Sequence, residues 1–246
     1  MLAVAQTIGR KSSTAACGCA ADDPALYGPG RVLPGKGEEC SLSHAVPIGV
    51  PVAKLRPTQM TVGFREVELK RREWHDADEK GRAKLLRHHV VPAVIGPGKH
   101  AYITDHHHFA RALLDEGAEL VAIFVLADLS HLPKDEFWTY LDNSAWCHAY
   151  DDKGKRCELS DIPKRLSKLA DDPFRSLAGA LIRAGGCAKS SKAFSEFLWA
   201  DFLRRRIDHK LVSDNYDDAV ARALMLCRTE DARSLPGWCG SNAKGL

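Results

Sequence analysis

The stretch from Val90 to Leu126 limits the possible folds more than any other part of the chain. It opens on a short apolar run, Val90 to Ile95, breaks at Gly96-Pro97-Gly98 and resumes with Ala101 to Thr104. Two strand-like runs joined by a Gly/Pro turn are expected to pair as a hairpin. Asp105-His106-His107-His108 comes next, and after it Phe109, Ala112 and Leu113 recur at the three- and four-residue spacing of a buried helical stripe. Gly117 stands where such a helix should stop, and Leu120 to Leu126 reads as a buried strand. The segment therefore predicts a mixed α/β unit with an acid and three histidines at a strand-to-helix junction, where α/β proteins tend to place ligands.

A helix N-terminus has free backbone N–H groups and a partial positive charge, so Asp105 and His106 to His108 are placed to build an anion site, phosphate above all. Three readings of the histidines compete. Asp105 and one or two imidazoles orient a phosphate; or Asp105 and two imidazoles bind a transition metal that drives hydrolysis; or the rings only cap and pack the helix. Adjacent side chains point in different directions in a strand or a helix, so a single metal site could not take all three rings without irregular backbone.

Around this unit the chain divides into three parts. Residues 1–44 are rich in Gly, Ala, Pro and Ser without a period, and are expected to be an arm or leader. Residues 45–130 form the α/β core: a strand at Ile48 to Val52, a loop at Leu55 to Gln59, a segment Val62 to Lys70 in which charge alternates with apolar residues, and an exposed helix over 76–89. Residues 131–246 are expected to be a helical extension, with helices at Asp135 to His148, Ile162 to Ala170, Asp172 to Ala184, Ser191 to Ile207 and Asp214 to Arg228. Pro173 fits a first helical position, and Gly185-Gly186 supplies a stop.

With 246 residues and 45% hydrophobic content the chain can bury a sizeable core, and no apolar run approaches the length of a membrane span. A net charge of +3 with no basic half argues against non-specific duplex binding. Eight cysteines without a C-x-x-C pair suggest a reducing compartment and inert thiols, and Cys17-Gly-Cys19 is given no function. A cytoplasmic protein is expected, although the acid-free first twenty residues, with Arg10 and Lys11, faintly resemble an organelle transit sequence.

Other motifs divide between chemistry and packing. Glu66 could act as acid or base near a phosphate, but from this segment alone Glu66 and Glu68 are better read as solvated charges beside Val67 and Leu69. Trp199 to Arg206 could be a basic, aromatic nucleic-acid contact, but Phe194, Phe197, Leu198 and Phe202 are spaced as a packing face. Asp171-Asp172 is better read as helix capping than as a metal site.

Thr104 to Ala118 resembles the strand, Asp-Gly-His-His-Arg-type loop and Gly-Ala-terminated helix of the ParB/sulfiredoxin superfamily. The likeness extends upstream through Val90 to Gly98 and more loosely to Leu55-Arg56-Pro57-Thr58-Gln59 and Arg65-Glu66. The span 48–240, with Asp171 to Leu177 and Phe194 to Asp201, is similar to the ParB-like nuclease branch. The resemblance implies an α+β fold: a small mixed-sheet ParB/sulfiredoxin-like core with an all-helical C-terminal extension. It also implies an enzyme that binds a nucleotide (ATP, ADP or CTP) or another phosphate compound, with Mg²⁺, and performs phosphoryl transfer or phosphodiester hydrolysis. In that picture Glu66 is the general base, and Asp105, His106 and His107 surround the reacting phosphoryl group. His107, His108, Gln59, Arg56 and Arg111 would bind phosphate or nucleotide, and Asp105 would hold the metal. The alternative from another class is a non-catalytic nucleic-acid or nucleotide-binding adaptor.

The chain departs from the superfamily pattern at two positions of this loop. His106 stands where relatives keep glycine, and Phe109 stands where they keep arginine. No cysteine lies in or beside the loop, so the sulfinic-acid reduction of one superfamily branch lacks its thiol nucleophile.

Overall fold

The computed structural model describes residues 47–240, so the expected arm over residues 1–44 lies outside the described residues. The first half of the fold contains β1 (Ile48–Pro51), β2 (Arg56–Pro57), β3 (Thr61–Val62), α1 (Phe64–Asp76), α2 (Glu79–His88), β4 (Val91–Gly96), β5 (His100–Ile103), α3 (His107–Asp115) and β6 (Leu120–Asp128). Five strands form a mixed sheet in the order β1-β6-β4-β5-β2. The expected hairpin is β4 and β5, paired antiparallel with Ala93 opposite Ile103. β6 returns beside β4 in parallel, and β1 closes that edge antiparallel to β6. The loop expected at Leu55 to Gln59 is in part a strand, because Arg56 and Pro57 pair in parallel with Tyr102 and Ile103.

The central strands are covered on both faces, which is why β4 reads as a nearly continuous apolar run. On one face Val91, Ala93, Ile103 and Ile123 pack with Phe109 and Leu113 of α3 and Val67 of α1. On the other, Val94 and Tyr102 meet Phe137, Trp138 and Leu141 of α4 (Lys134–Asn143). Each fully buried branched side chain of this kind contributes roughly 1.5–3 kcal/mol relative to exposure.

The alternating segment Val62 to Lys70 belongs to a helix for most of its length. Val67 and Trp74, seven residues apart, are the buried positions of α1, so the chain follows helical spacing and leaves the intervening charges outside. The first N–H groups of α1 are satisfied from a distant part of the chain: Phe64 donates to Asp171 Oδ1 at 2.7 Å and Arg65 to Ser176 Oγ at 3.2 Å.

Beyond α4 the expected helix at Ile162 to Ala170 is replaced by two short 3-10 turns, Leu159–Asp161 and Leu166–Lys168, followed by β7 (Ala170–Asp171). Pro163 cannot donate within a helix, and β7 instead pairs in parallel with β3. Four helices follow: α5 (Pro173–Arg183), α6 (Ser195–Arg204), α7 (His209–Asp214) and α8 (Tyr216–Leu226). Asp172 caps α5 by accepting the Phe174 N–H at 3.0 Å, with Pro173 in the first turn as its sequence suggested. These helices share a core of Phe174, Leu177, Leu181, Trp199, Leu203 and Val212. Trp199 and Phe202 thus pack inward, and Arg204 is held by Asp172 and Asp201. Among the described residues no helix is long and apolar enough to cross a membrane.

Candidate functional site

Strand β5 delivers Thr104 and Asp105 to the edge of a cavity of about 630 Å³ between the sheet and the α5–α6 pair. The turn into α3 is made by His106, which adopts left-handed backbone angles of φ 62° and ψ 27° as the N-cap residue. Few side chains occupy that region readily; glycine does so at least cost. The backbone therefore makes the turn that a glycine would favour, with an imidazole in its place. Asp105 is exposed, and its Oδ1 accepts the His106 N–H at 2.6 Å.

The other two imidazoles work as clamps. His107 is buried, and its Nε2 accepts the Thr58 N–H at 3.1 Å; His108 Nε2 accepts the Gly63 N–H at 3.0 Å. Consecutive helix residues thereby grip both ends of the 58–63 segment, and Thr58 returns a hydrogen bond from Oγ1 to the Ile103 carbonyl at 2.8 Å. With Nε2 used as an acceptor, each ring carries its proton on Nδ1 and stays neutral. Burial first, then the Arg175 charge and the neighbouring imidazole, push His107 down to about 3. His108 is held well below its usual range, again chiefly by burial. His106 is shifted down as well, mainly by burial, and its Nδ1 has no partner. It meets the ring of His89 edge-on at 5.6 Å.

The residues singled out from sequence separate clearly in space. Asp105, His107, His108 and Gln59 line the cavity. Glu66 does not: it forms a bidentate ion pair with Arg183, accepting from Nη1 and, at 2.8 Å, from Nη2. Arg56 donates to the Tyr102 hydroxyl at 3.3 Å, outside the cavity lining. Arg111 pairs with Asp115 and donates to the carbonyls of Leu166 and Leu169, which ties α3 to the loop before β7.

The cavity also recruits residues that the motifs did not indicate. Arg175, in the first turn of α5, is buried, and its guanidinium lies 3.6 Å from the centre of the Phe197 ring. Phe197 packs on His148 at 3.7 Å, and His148 stacks on Tyr150 at 4.4 Å with the planes 20° apart. Burial, followed by Arg175 and Arg156, pushes His148 down to about 3. Lys189, Lys192 and Glu196 complete the charged lining, so three cations face two carboxylates, Asp105 and Glu196. The available signal for Arg175 was its position: a cation in the first turn opposes the helix dipole and needs a reason to be there.

Among the described residues no group of three or more His, Cys, Asp or Glu side chains is placed to hold a metal ion. Asp105 stands without further ligands of that kind, and two of the three histidines spend Nε2 on backbone amides. This donor set does not fit a resident metal.

The architecture is thus a curled mixed sheet with helices on both faces and a strand-to-helix loop at the edge of an open cavity. Residues 48–205 match the family model described as "Putative ParB-like nuclease", and the chain belongs to that family. It is similar to protein Atu1540 from Agrobacterium tumefaciens, known from a crystal structure, with 52% identity and a TM-score of 0.73 over 79% of this chain and 98% of that one. No curated protein matches the chain.

Proposed function

We propose that the protein is an enzyme that binds a phosphate compound in the 630 Å³ cavity and performs phosphodiester hydrolysis or phosphoryl transfer there. The observation that carries this reading is the placement of Asp105 beside the N-terminus of α3 on a cavity that also presents Arg175. Phosphoryl chemistry needs positioned donors for the equatorial oxygens and a group to accept the proton of the attacking hydroxyl or water. The α3 amides and Arg175 supply the donors. Asp105 is the proposed proton acceptor: it is exposed to the cavity and is not tied up in an ion pair, whereas Glu66 is. His107 and His108 hold the loop and, being neutral, do not act as imidazolium acids at physiological pH.

A near-neutral chain favours a nucleotide or single-stranded end over duplex nucleic acid. Mg²⁺, where it takes part, would arrive as the counter-ion of substrate phosphates, since magnesium is commonly held by one or two carboxylates plus phosphate oxygens. The reading is tested by assaying bis(p-nitrophenyl) phosphate, a single-stranded oligonucleotide and nucleoside triphosphates, with and without Mg²⁺. Turnover should fall about 10²–10⁴-fold in Asp105→Asn, the range expected for loss of a general base. Turnover equal to that of the wild type in the variant, or none with any substrate, rejects it.

A further inference from the structure

We propose that Arg175 is the anion anchor of the cavity, and that Glu196 is a resident placeholder which an incoming phosphate displaces. This rests on the phosphate reading of the same cavity. The Arg175 side chain is only 4% exposed, yet its Nε and Nη1 have no hydrogen-bond partner. Buried guanidinium N–H groups are expensive to leave unpaired, and a native site that does so calls for a missing acceptor. Among the described residues the one ion-pair contact to the group is Glu196 Oε2, at 3.6 Å from Nη2, while the Asp172 and Asp105 carboxylates act on it from farther away.

Glu196 is suited to leave. Its side chain is 44% exposed, on the first turn of α6, so on release its carboxylate returns to water and loses little. Arg175 is suited to stay, because its plane is fixed against Phe197, which is backed by His148 and Tyr150. Gln59 adds a second unsatisfied donor: its Nε2 is buried without a partner, and the residue lines the same cavity. Trp146 contributes a third, its indole N–H, also buried and unpaired. A set of spare donors selects a ligand that only accepts, and a phosphate group offers several acceptor oxygens together with a negative charge to replace that of Glu196.

The experiment is isothermal titration of the full chain with inorganic phosphate and with AMP at low ionic strength, for the wild type, Arg175→Lys and Glu196→Gln. Arg175→Lys keeps the charge and loses the planar donor set, so phosphate and AMP affinity should fall on the order of 10-fold or more. Glu196→Gln removes the competing charge, so the same affinities should rise several-fold. This opposite sign is not expected of a purely structural pair, in which both variants weaken binding. Glu196 is at the surface, so the second variant remains informative if the first fails to fold. Wild-type binding that is unchanged in Arg175→Lys, or weakened in Glu196→Gln, overturns the anchor and leaves the phosphate reading intact. Absence of phosphate and AMP binding in the wild type overturns both.

Discussion

Helix α5 carries an arginine near each end, and the two are used in opposite ways. At its C-terminal end Arg183 is 49% exposed and grips Glu66, which is 16% exposed, through Nη1 and Nη2. There the acid is the buried partner and its oxygens are satisfied. At the N-terminal end Arg175 is the buried partner, Glu196 is the exposed one, and the single contact is long. The first arrangement is a clasp between α1 and α5, with nothing left to offer a ligand. The second leaves donors unsatisfied at the wall of a cavity. A paired carboxylate and guanidinium therefore indicate a binding site only when the buried member has bonding capacity to spare.

Acid should separate the two ends most strongly. His107 and His148, both on the Arg175 side, have pKa values of about 3 against an ordinary 6.5. A depressed histidine pKa means that the unfolded chain takes up protons first as pH falls. The stability contributed by keeping these rings neutral is thus fully present above pH 6.5 and drains away between 6.5 and 3. Linkage gives a loss of about 2 kcal/mol per ring by pH 5, with His108 acting in the same direction. Urea midpoints measured from pH 7 to pH 5 should fall steadily; a flat profile would mean that the rings are not buried and neutral.

The clasp end is tested next by Glu66→Ala, which should cost about 1–3 kcal/mol in urea unfolding through loss of two charge-assisted hydrogen bonds. An unaltered midpoint combined with abolished turnover would instead make Glu66 the general base and invert the comparison. Gly179→Ala probes the same clasp more gently. A Cβ there would lie 2.6 Å from Glu66 Cδ, so the carboxylate must shift. The helix-propensity gain of about 1 kcal/mol offsets much of the overpacking penalty, and a net loss on the order of 1 kcal/mol is expected in thermal melts.

Much of the fold was legible because local signals and packing agree. The hairpin β4–β5, the stop at Gly117, β6 and the Asp172-Pro173 start of α5 each have a turn or cap residue where the structure needs one. Expectation failed where the deciding partner lay far away in sequence. Val62 to Lys70 has a strand-like alternation, but Asp171 and Ser176 cap a helix there. β7 exists because β3 is available to pair with it. The site divides in the same manner. Asp105, His107 and His108 lie within four residues and could be read together, although His106 between them does not line the cavity, and Gln59 follows from the superfamily resemblance; Arg175 and Glu196 come from separate helices, and only the tertiary fold unites them with the loop.

His106 gives the smallest effect and the most direct test of the loop. Its φ of 62° costs a non-glycine residue roughly 1–2 kcal/mol, and the ring's buried Nδ1 has no partner. His106→Gly relieves both, matching the glycine that the superfamily resemblance implies at this position. Against that stand the greater freedom of glycine in the unfolded chain, about 0.5–1 kcal/mol, and the lost edge contact with His89. The balance should leave the urea midpoint within about 1 kcal/mol of the wild type, on the stabilising side. A loss of several kcal/mol would show instead that the imidazole, rather than the backbone turn, holds this end of α3. The loop would then rest on three clamping histidines, with Asp105 alone left to the chemistry.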